Sequence, residues 1–161
     1  ATARMNELQV KTHDFTADPK LMVILNCQNR EDQWGELMDY AQEQIEHGIS
    51  ILATICMKAL KMGTQAGFAA NMPLAGEEDS LVMLPDAGPA REEEMLTAFA
   101  RLSILRTLSF PYFLRTLTQL TDMDILILSC YDSEEIRLSM EQLRGQNNRV
   151  MLHLMEAGDG A

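Results

Sequence analysis

The stretch LMVILNCQ at 21–28 constrains the fold of this chain more than any other part of the sequence. Its five apolar residues at 21–25 stop abruptly at Asn26. A strand with apolar residues on both faces is typical of the middle of a parallel sheet that helices cover on both sides. In open α/β sheets, ligands bind just beyond the carboxyl ends of such strands. The loop that begins at Asn26 is therefore the first candidate for a functional site.

The composition limits the class of protein. A chain of 161 residues predicts one domain with a substantial buried core. A formal net charge of −11 argues against nucleic-acid binding, because phosphate contacts need a basic surface. A plain acidic surface is the simplest interpretation, and an acidic docking face for a protein partner is the alternative. Cys27, Cys56 and Cys130 have no short spacings, so they predict reduced cytosolic thiols rather than disulfides or a zinc site.

We expect the folded domain to span residues 19–157, between an arm or edge strand at 1–18 and a tail at 158–161. Within the first segment, ELQVKTHDF at 7–15 partly alternates apolar and polar residues, which is typical of an edge strand or an extended arm. No signal peptide and no apolar run of about 18 residues occurs in the sequence. Because the chain begins at Ala1 in a stretch that looks structured, we expect it to be part of a longer protein.

Helical and extended patterns alternate along the chain. After the first strand they predict a helix at about 36–62, strands at 64–72 and 81–85, helices at 91–105 and 111–121, a strand at 124–130, a helix from Ser133 through Leu143 and a strand at 149–155. The connection between the second and third strands is too short for a parallel crossover, so these two strands should form an antiparallel hairpin. The order predicts an α/β fold with an open, mostly parallel sheet, one antiparallel hairpin strand and helices on both faces.

Three residues mark predicted helix ends, and one of the three histidines is predicted to be buried. Gly63 stands where the first helix should end, and Ser109 and Ser133 stand where N-caps should be. His13, His47 and His153 lie in separate elements and are interpreted as surface or structural residues. His153, inside the last strand, is the one that we expect to be substantially buried.

The sequence contains no phosphate-binding glycine motif, no GxSxG elbow and no HExxH zinc motif. In a doubly wound sheet, the loop after the first strand meets the loop after the second inner strand at the switch point. A hard divalent cation there would need carboxylates and hydroxyls from both loops. The two loops instead supply mainly amides, thiols and an arginine: Asn26, Cys27, Gln28, Arg30, Ser129, Cys130 and Asp132. They predict a poor magnesium site.

Several stretches of the chain resemble one bacterial family. They are ATARMNELQVK at 1–11, GISILATICMKALKMGTQAGFAAN at 48–71, EEEMLTAFARL at 92–102, DILILSCYD at 124–132 and NRVMLHLM at 148–155. Together they resemble the C-terminal domain of a domain-of-unknown-function family whose fold is related to the von Willebrand factor A domain. The resemblance covers nearly the whole chain, and its most specific part is the opening ATAR…LQVK. It implies a von Willebrand A-like, Rossmann-like fold.

The resemblance also implies an interaction module rather than an enzyme, with no cofactor. Proteins of this family are typically anchored by two N-terminal membrane spans and are often encoded beside MoxR-type AAA+ ATPases. A role in complex assembly is inferred for such systems. We therefore expect a cytoplasmic domain of a parent protein anchored in the bacterial plasma membrane. Its partner would be a protein, with a MoxR-type AAA+ ATPase as the candidate.

Related A domains bind partners through a metal-ion-dependent adhesion site with a D-x-S-x-S motif after the first strand. Laid onto this chain, that motif falls on Asn26, Gln28 and Arg30, and a later aspartate of the site falls on or near Cys130. The resemblance therefore implies that the metal site is degenerate, and we expect no metal ligands. The predicted partner-binding residues are Asn26, Gln28, Arg30, Trp34, Asp86, Ser129 and Asp132.

Two alternatives remain open. In the first, a divalent cation is held by substitute ligands, Asp86 and Asp132, and the domain binds its partner through that cation. In the second and more remote one, Cys27 or Cys130 is the nucleophile of a thiol-based enzyme, although no residue is placed by sequence to activate it. If Cys27 and Cys130 are spatial neighbours, a redox role of these two cysteines is a further hypothesis.

Overall fold

The computed structural model describes residues 19–33, 37 and 39–156 of the chain. Its strands are β1 (Lys20–Leu25), β2 (Gln65–Ala70), β3 (Leu81–Asp86), β4 (Asp124–Ser129) and β5 (Arg149–Leu154), and its helices are α1 (Asp39–Lys61), α2 (Pro89–Arg101), α3 (Phe110–Thr116) and α4 (Glu134–Gly145). Three predictions lie outside the described residues: the arm at 1–18, Trp34 and the tail at 158–161.

The five strands form one open sheet in the order β3-β2-β1-β4-β5. All neighbouring pairs are parallel except β2 and β3, which are antiparallel. The predicted fold class is therefore confirmed, and the arrangement is Rossmann-like. None of the described helices is long and apolar enough to cross a bilayer.

The first strand lies at the centre of this sheet, as predicted. It is bonded to β2 on one side and β4 on the other, and residues 22–25 have no exposed surface. Val23 and Leu25 pack into a core with α1 and α2, and Met22 and Ile24 pack into a second core with α3 and α4. Helices on both faces explain why the strand is apolar at every position.

The helix ends follow the local signals in two of three places. Gly63 has a φ of 82° and ends α1, where Thr64 N donates to Ala59 O at 3.0 Å and Gly63 N donates to Leu60 O at 3.1 Å. Ser133 caps α4, since its hydroxyl accepts a hydrogen bond from Ile136 N at 3.2 Å. Ser109 occupies the N-cap position of α3, but its side chain makes no capping hydrogen bond.

The last strand is at the edge of the sheet, and this position corrects one prediction. The side chain of Val150 is buried on the face that α4 covers, whereas Met151, on the opposite face, is 69% exposed. His153 shares the face of Met151 and is exposed. The prediction that His153 is substantially buried was wrong, because a sheet edge exposes positions that an inner strand would cover.

Candidate functional site

The loops after the parallel strands meet where the sequence predicted a switch point. The strands β1 and β4 are neighbours, and they lead to helices on opposite faces of the sheet. We call the carboxyl-end surface the set of loops at 26–33, 71–75 and 130–133. The segment 102–109, between α2 and α3, crosses this surface. Backbone hydrogen bonds attach it to the loop after β2, from Thr107 N to Asn71 O at 3.0 Å among others.

Asn26 joins the loop after β1 to the end of β4. Its Nδ2 donates to the Ser129 hydroxyl at 3.1 Å, and its Oδ1 accepts from Gln28 N at 2.9 Å. The Ser129 hydroxyl in turn donates to Tyr131 O at 2.6 Å. Both Asn26 and Ser129 are fully buried. They are brought together as the sequence predicted, but they bond to each other instead of facing solvent.

Gln28 caps a helix that is distant in sequence. Its Oε1 accepts from Phe110 N, at the start of α3, at 2.8 Å. Its Nε2 donates to Arg30 O at 3.3 Å and to Glu31 O at 3.1 Å. With 1% of its surface exposed, Gln28 is a structural residue that supplies the capping acceptor that Ser109 does not.

Asn71 belongs to the same cluster and was missed by the sequence analysis. Its Oδ1 accepts from Cys27 N at 2.9 Å, and its Nδ2 donates to Leu108 O at 3.0 Å. It is fully buried, and it ties the loop after β1 to the crossing segment. The signal that revealed Asn26, a polar residue directly after an apolar strand, was also present at the end of β2.

Hydrogen bonds therefore occupy the position that the family resemblance assigns to a metal. Asn26, Gln28 and Asn71 each use both the oxygen and the nitrogen of the side-chain amide. Within residues 19–33, 37 and 39–156, no group of three or more His, Cys, Asp or Glu residues could hold a metal ion. Neutral amides can both donate and accept, so they connect the loops without a cation.

A charged layer lies outside the buried amides. The side chain of Arg30 is 71% exposed and pairs with Asp32 at 3.0 Å. Asp132 accepts from the Arg137 guanidinium at 2.6 to 3.0 Å, and these hydrogen bonds hold the pKa of Asp132 below its usual value. Arg30 and Asp132 are the predicted partner-binding residues that a partner could touch here.

Arg106 and Tyr131 also lie at this surface, and neither was among the residues predicted from the sequence. Arg106, from the crossing segment, donates from Nη1 to Gln33 O at 3.1 Å. Tyr131 is partly buried, and burial raises the pKa of its phenol, with the nearby Asn26 amide opposing the change. No local pattern marks Arg106, because its position depends on how the segment 102–109 packs across the sheet.

The three cysteines do not have the properties of a nucleophilic thiol. Burial raises the pKa of Cys27 to about 12, although the positive charge of Arg106 opposes this. Burial also raises the pKa of Cys56 to about 12 and raises that of Cys130. Reactive cysteines have a lowered pKa and an exposed sulfur, whereas Cys27 Sγ is buried and hydrogen-bonded to Asn71 O at 3.3 Å.

Asp86 lies at the other end of the sheet. It pairs with Ala66 near the amino end of β2, because β3 is antiparallel and its last residue returns to that end. The prediction that Asp86 shares a surface with Asn26 was wrong. A six-residue strand is about 20 Å long, so Asp86 and Asp132 cannot hold one cation between them. The alternative in which Asp86 and Asp132 together bind a divalent cation is therefore excluded.

Comparison with known proteins adds no assignment. No protein-family model matches the chain. No curated protein matches it in sequence. The family resemblance therefore stays a prediction that rests on patterns such as ATAR…LQVK.

Proposed function

We propose that this chain is a non-enzymatic protein-binding domain of the von Willebrand A-like type that works without a metal ion. In this proposal it is the cytoplasmic part of a parent protein anchored in the bacterial plasma membrane. Its partner is a MoxR-type AAA+ ATPase, and the pair acts in complex assembly. The family resemblance supplies both the parent and the partner.

One observation carries the metal-independent part of the proposal. The cluster of Asn26, Gln28, Asn71 and Ser129 joins three loops through buried, satisfied hydrogen bonds. In the A domains that the chain resembles, a cation lies at the corresponding place. Here the loops are already held together, and the side chains present favour neither a hard cation nor a thiolate. Binding through the exposed residues of the surface remains the chemistry that these loops support best.

The exposed pair Arg30 and Asp32 gives a direct test. We expect Arg30→Glu to weaken binding to the purified ATPase, in the presence of Mg-ATP, by at least tenfold. The matched control is Lys61→Glu, which changes the net charge equally at an exposed site at the end of α1, away from the carboxyl-end surface. Unchanged binding of the Arg30→Glu chain, or equal loss in both variants, would overturn the proposed surface.

Calorimetry of the chain alone tests independence from cations. Titration with Mg²⁺, Mn²⁺ or Ca²⁺ should give no binding heat and no rise in Tm. Heat that disappears in an Asp132→Asn variant would instead establish a cation site built on that residue. This measurement needs no partner, so its result is separate from the question of which protein binds.

A further inference from the structure

The N-terminus of α2 is open and has no side-chain cap. Gly88 occupies the N-cap position with a φ of 98°, and no side chain accepts a capping hydrogen bond there. Pro89 follows and has no N–H, and the first backbone bond runs from Glu92 N to Gly88 O at 3.2 Å. The N–H groups of Ala90 and Arg91 precede that bond and have no intrahelical acceptor. A Cβ at Gly88 would meet no atom within 4 Å, so a small molecule has room to approach these donors.

Arg91 carries a buried guanidinium that lacks hydrogen-bond acceptors. Its side chain is 10% exposed. Nε and Nη1 are both buried, and no described residue accepts a hydrogen bond from either. The carboxylate paired with it is that of Asp86, whose Oδ2 lies 3.8 Å from Nη2, beyond hydrogen-bonding distance. A buried charge without acceptors is costly, so the site gains free energy when an anion approaches.

The guanidinium is directed at the turn from which α2 begins. Arg91 is the third residue of the helix, and helical side chains point back toward the N-terminus. Its Nη2 faces Asp86, and Asp86 Oδ1 accepts from Ala87 N at 2.8 Å within the same turn. The charge of Arg91 and the positive end of the helix dipole therefore act on one space.

The acidic groups near this space leave it open. The side chain of Asp86 is 69% exposed, and one of its oxygens is bound to Ala87 N. Glu93 and Glu94 lie in the groove between α2 and β3, and they are exposed. Repulsion from exposed carboxylates is screened by salt, whereas a donor in direct contact with an anion is screened much less. The net charge of −11 should make binding of an anion modest rather than prevent it.

We propose that the N-terminus of α2 and the Arg91 guanidinium form a binding site for a phosphoryl group, as inorganic phosphate or a small phosphate monoester. Helix N-termini and arginine are both donors that suit phosphate. A tetrahedral phosphate has enough oxygens to accept from Nη2 and from backbone N–H groups together, and it carries more charge than a carboxylate. The site is at the amino end of the sheet, so it is separate from the carboxyl-end surface and from the proposed partner binding.

An NMR titration of the full chain with inorganic phosphate, at constant ionic strength set with sodium chloride, tests the proposal. The amide signals of Gly88, Ala90 and Arg91 should shift and saturate at millimolar phosphate. Arg91→Met should weaken binding by about tenfold, because it removes the charged donor while a methionine suits the buried position. Arg101→Gln is the matched control, since it removes the same charge from an exposed site at the other end of α2 and should leave the affinity within about twofold.

Asp86→Asn gives a second test that leaves the buried residue in place. It removes the nearest negative charge, so phosphate should bind about threefold more tightly. The proposal fails if phosphate causes no saturable shift in the unaltered chain, or if Asp86→Asn leaves the affinity unchanged. Equal weakening by Arg91→Met and Arg101→Gln would identify diffuse attraction to positive charge instead. Acetate that binds as tightly as phosphate in a parallel titration would overturn the assignment to a phosphoryl group.

Discussion

Side-chain amides hold loops together at both ends of the sheet, but the residues that they connect are separated by different distances along the chain. At the amino end, Asn148 Oδ1 accepts from Met123 N at 3.1 Å, and its Nδ2 donates to Leu120 O at 2.8 Å. Gln146 Nε2 also donates to Leu120 O, at 2.7 Å. These partners are at most 28 positions apart in the chain. At the carboxyl end, the bonds of Asn26, Gln28 and Asn71 to other loops join residues 37 to 103 positions apart.

The comparison shows that a satisfied amide cluster is a structural device of this fold and does not by itself mark a binding site. At the amino end, the amides connect α3 and α4, which pack on one face of the sheet. At the carboxyl end they connect the loops that lead to opposite faces. Exposed charged pairs lie at both ends, Arg30 with Asp32 at the carboxyl end and Arg149 with Asp124 at the amino end, so charge alone does not distinguish the two ends.

Removing one amide from each end gives the largest expected effects. Asn71→Ala should lower the free energy of unfolding by roughly 3 kcal/mol, because it leaves Cys27 N and Leu108 O without their partner. Asn148→Ala should cost roughly 2 kcal/mol, because Leu120 O keeps its bond from Gln146 and chiefly Met123 N is left unpaired. Urea unfolding of both variants measures the difference.

Gln142→Ala is the control for both substitutions. Gln142 is an exposed residue in the middle of α4, and its loss should change stability by less than about 0.5 kcal/mol. If Asn148→Ala lowers the free energy of unfolding as much as Asn71→Ala or more, the predicted difference between the two ends is wrong. It would mean that the amino-end amides hold the fold at least as strongly as the long-range amides do.

The capping of α3 gives an intermediate effect. Gln28→Ala should lower stability by about 1.5 kcal/mol, because Phe110 N loses its acceptor. Ser109→Ala should change stability by less than about 0.5 kcal/mol, because Ser109 makes no capping bond although it occupies the N-cap position. Thermal unfolding of the two variants measures this, and a larger cost for Ser109→Ala would contradict the assignment of the cap to Gln28.

The charged layer gives the smallest effect. The pKa of Asp132 is lowered by its hydrogen bonds with Arg137, so it is lower in the folded chain than in the unfolded one. The pair therefore stabilises the fold above the unfolded pKa of about 4, and this contribution disappears as pH falls through the folded pKa. An NMR titration of the Asp132 carboxyl should show the lowered pKa, and Arg137→Gln should return it toward the ordinary value. Because the pair is exposed, added salt should weaken the effect.

The position of Asp86 was predicted wrongly although the hairpin that determines it was predicted correctly. The short connection after β2 correctly predicted a hairpin. An antiparallel return also places the end of β3 at the amino end, so the sequence already contained the argument against placing Asp86 beside Asn26. At Ser109 the local pattern correctly located the start of a helix, yet the capping group came from Gln28, which is 82 positions away.

The sequence by itself determined the sheet and the end of the sheet at which the polar loops meet. Apolar runs that end in polar residues specify buried parallel strands, and the hydrophobic pattern is a local property that needs no knowledge of partners. Only the tertiary structure decided that Asn26 bonds to Ser129, that Asn71 bonds to Cys27 N and that Gln28 bonds to Phe110 N. Hydrogen-bond partners separated by many residues depend on distances of a few tenths of an ångström, which packing alone fixes.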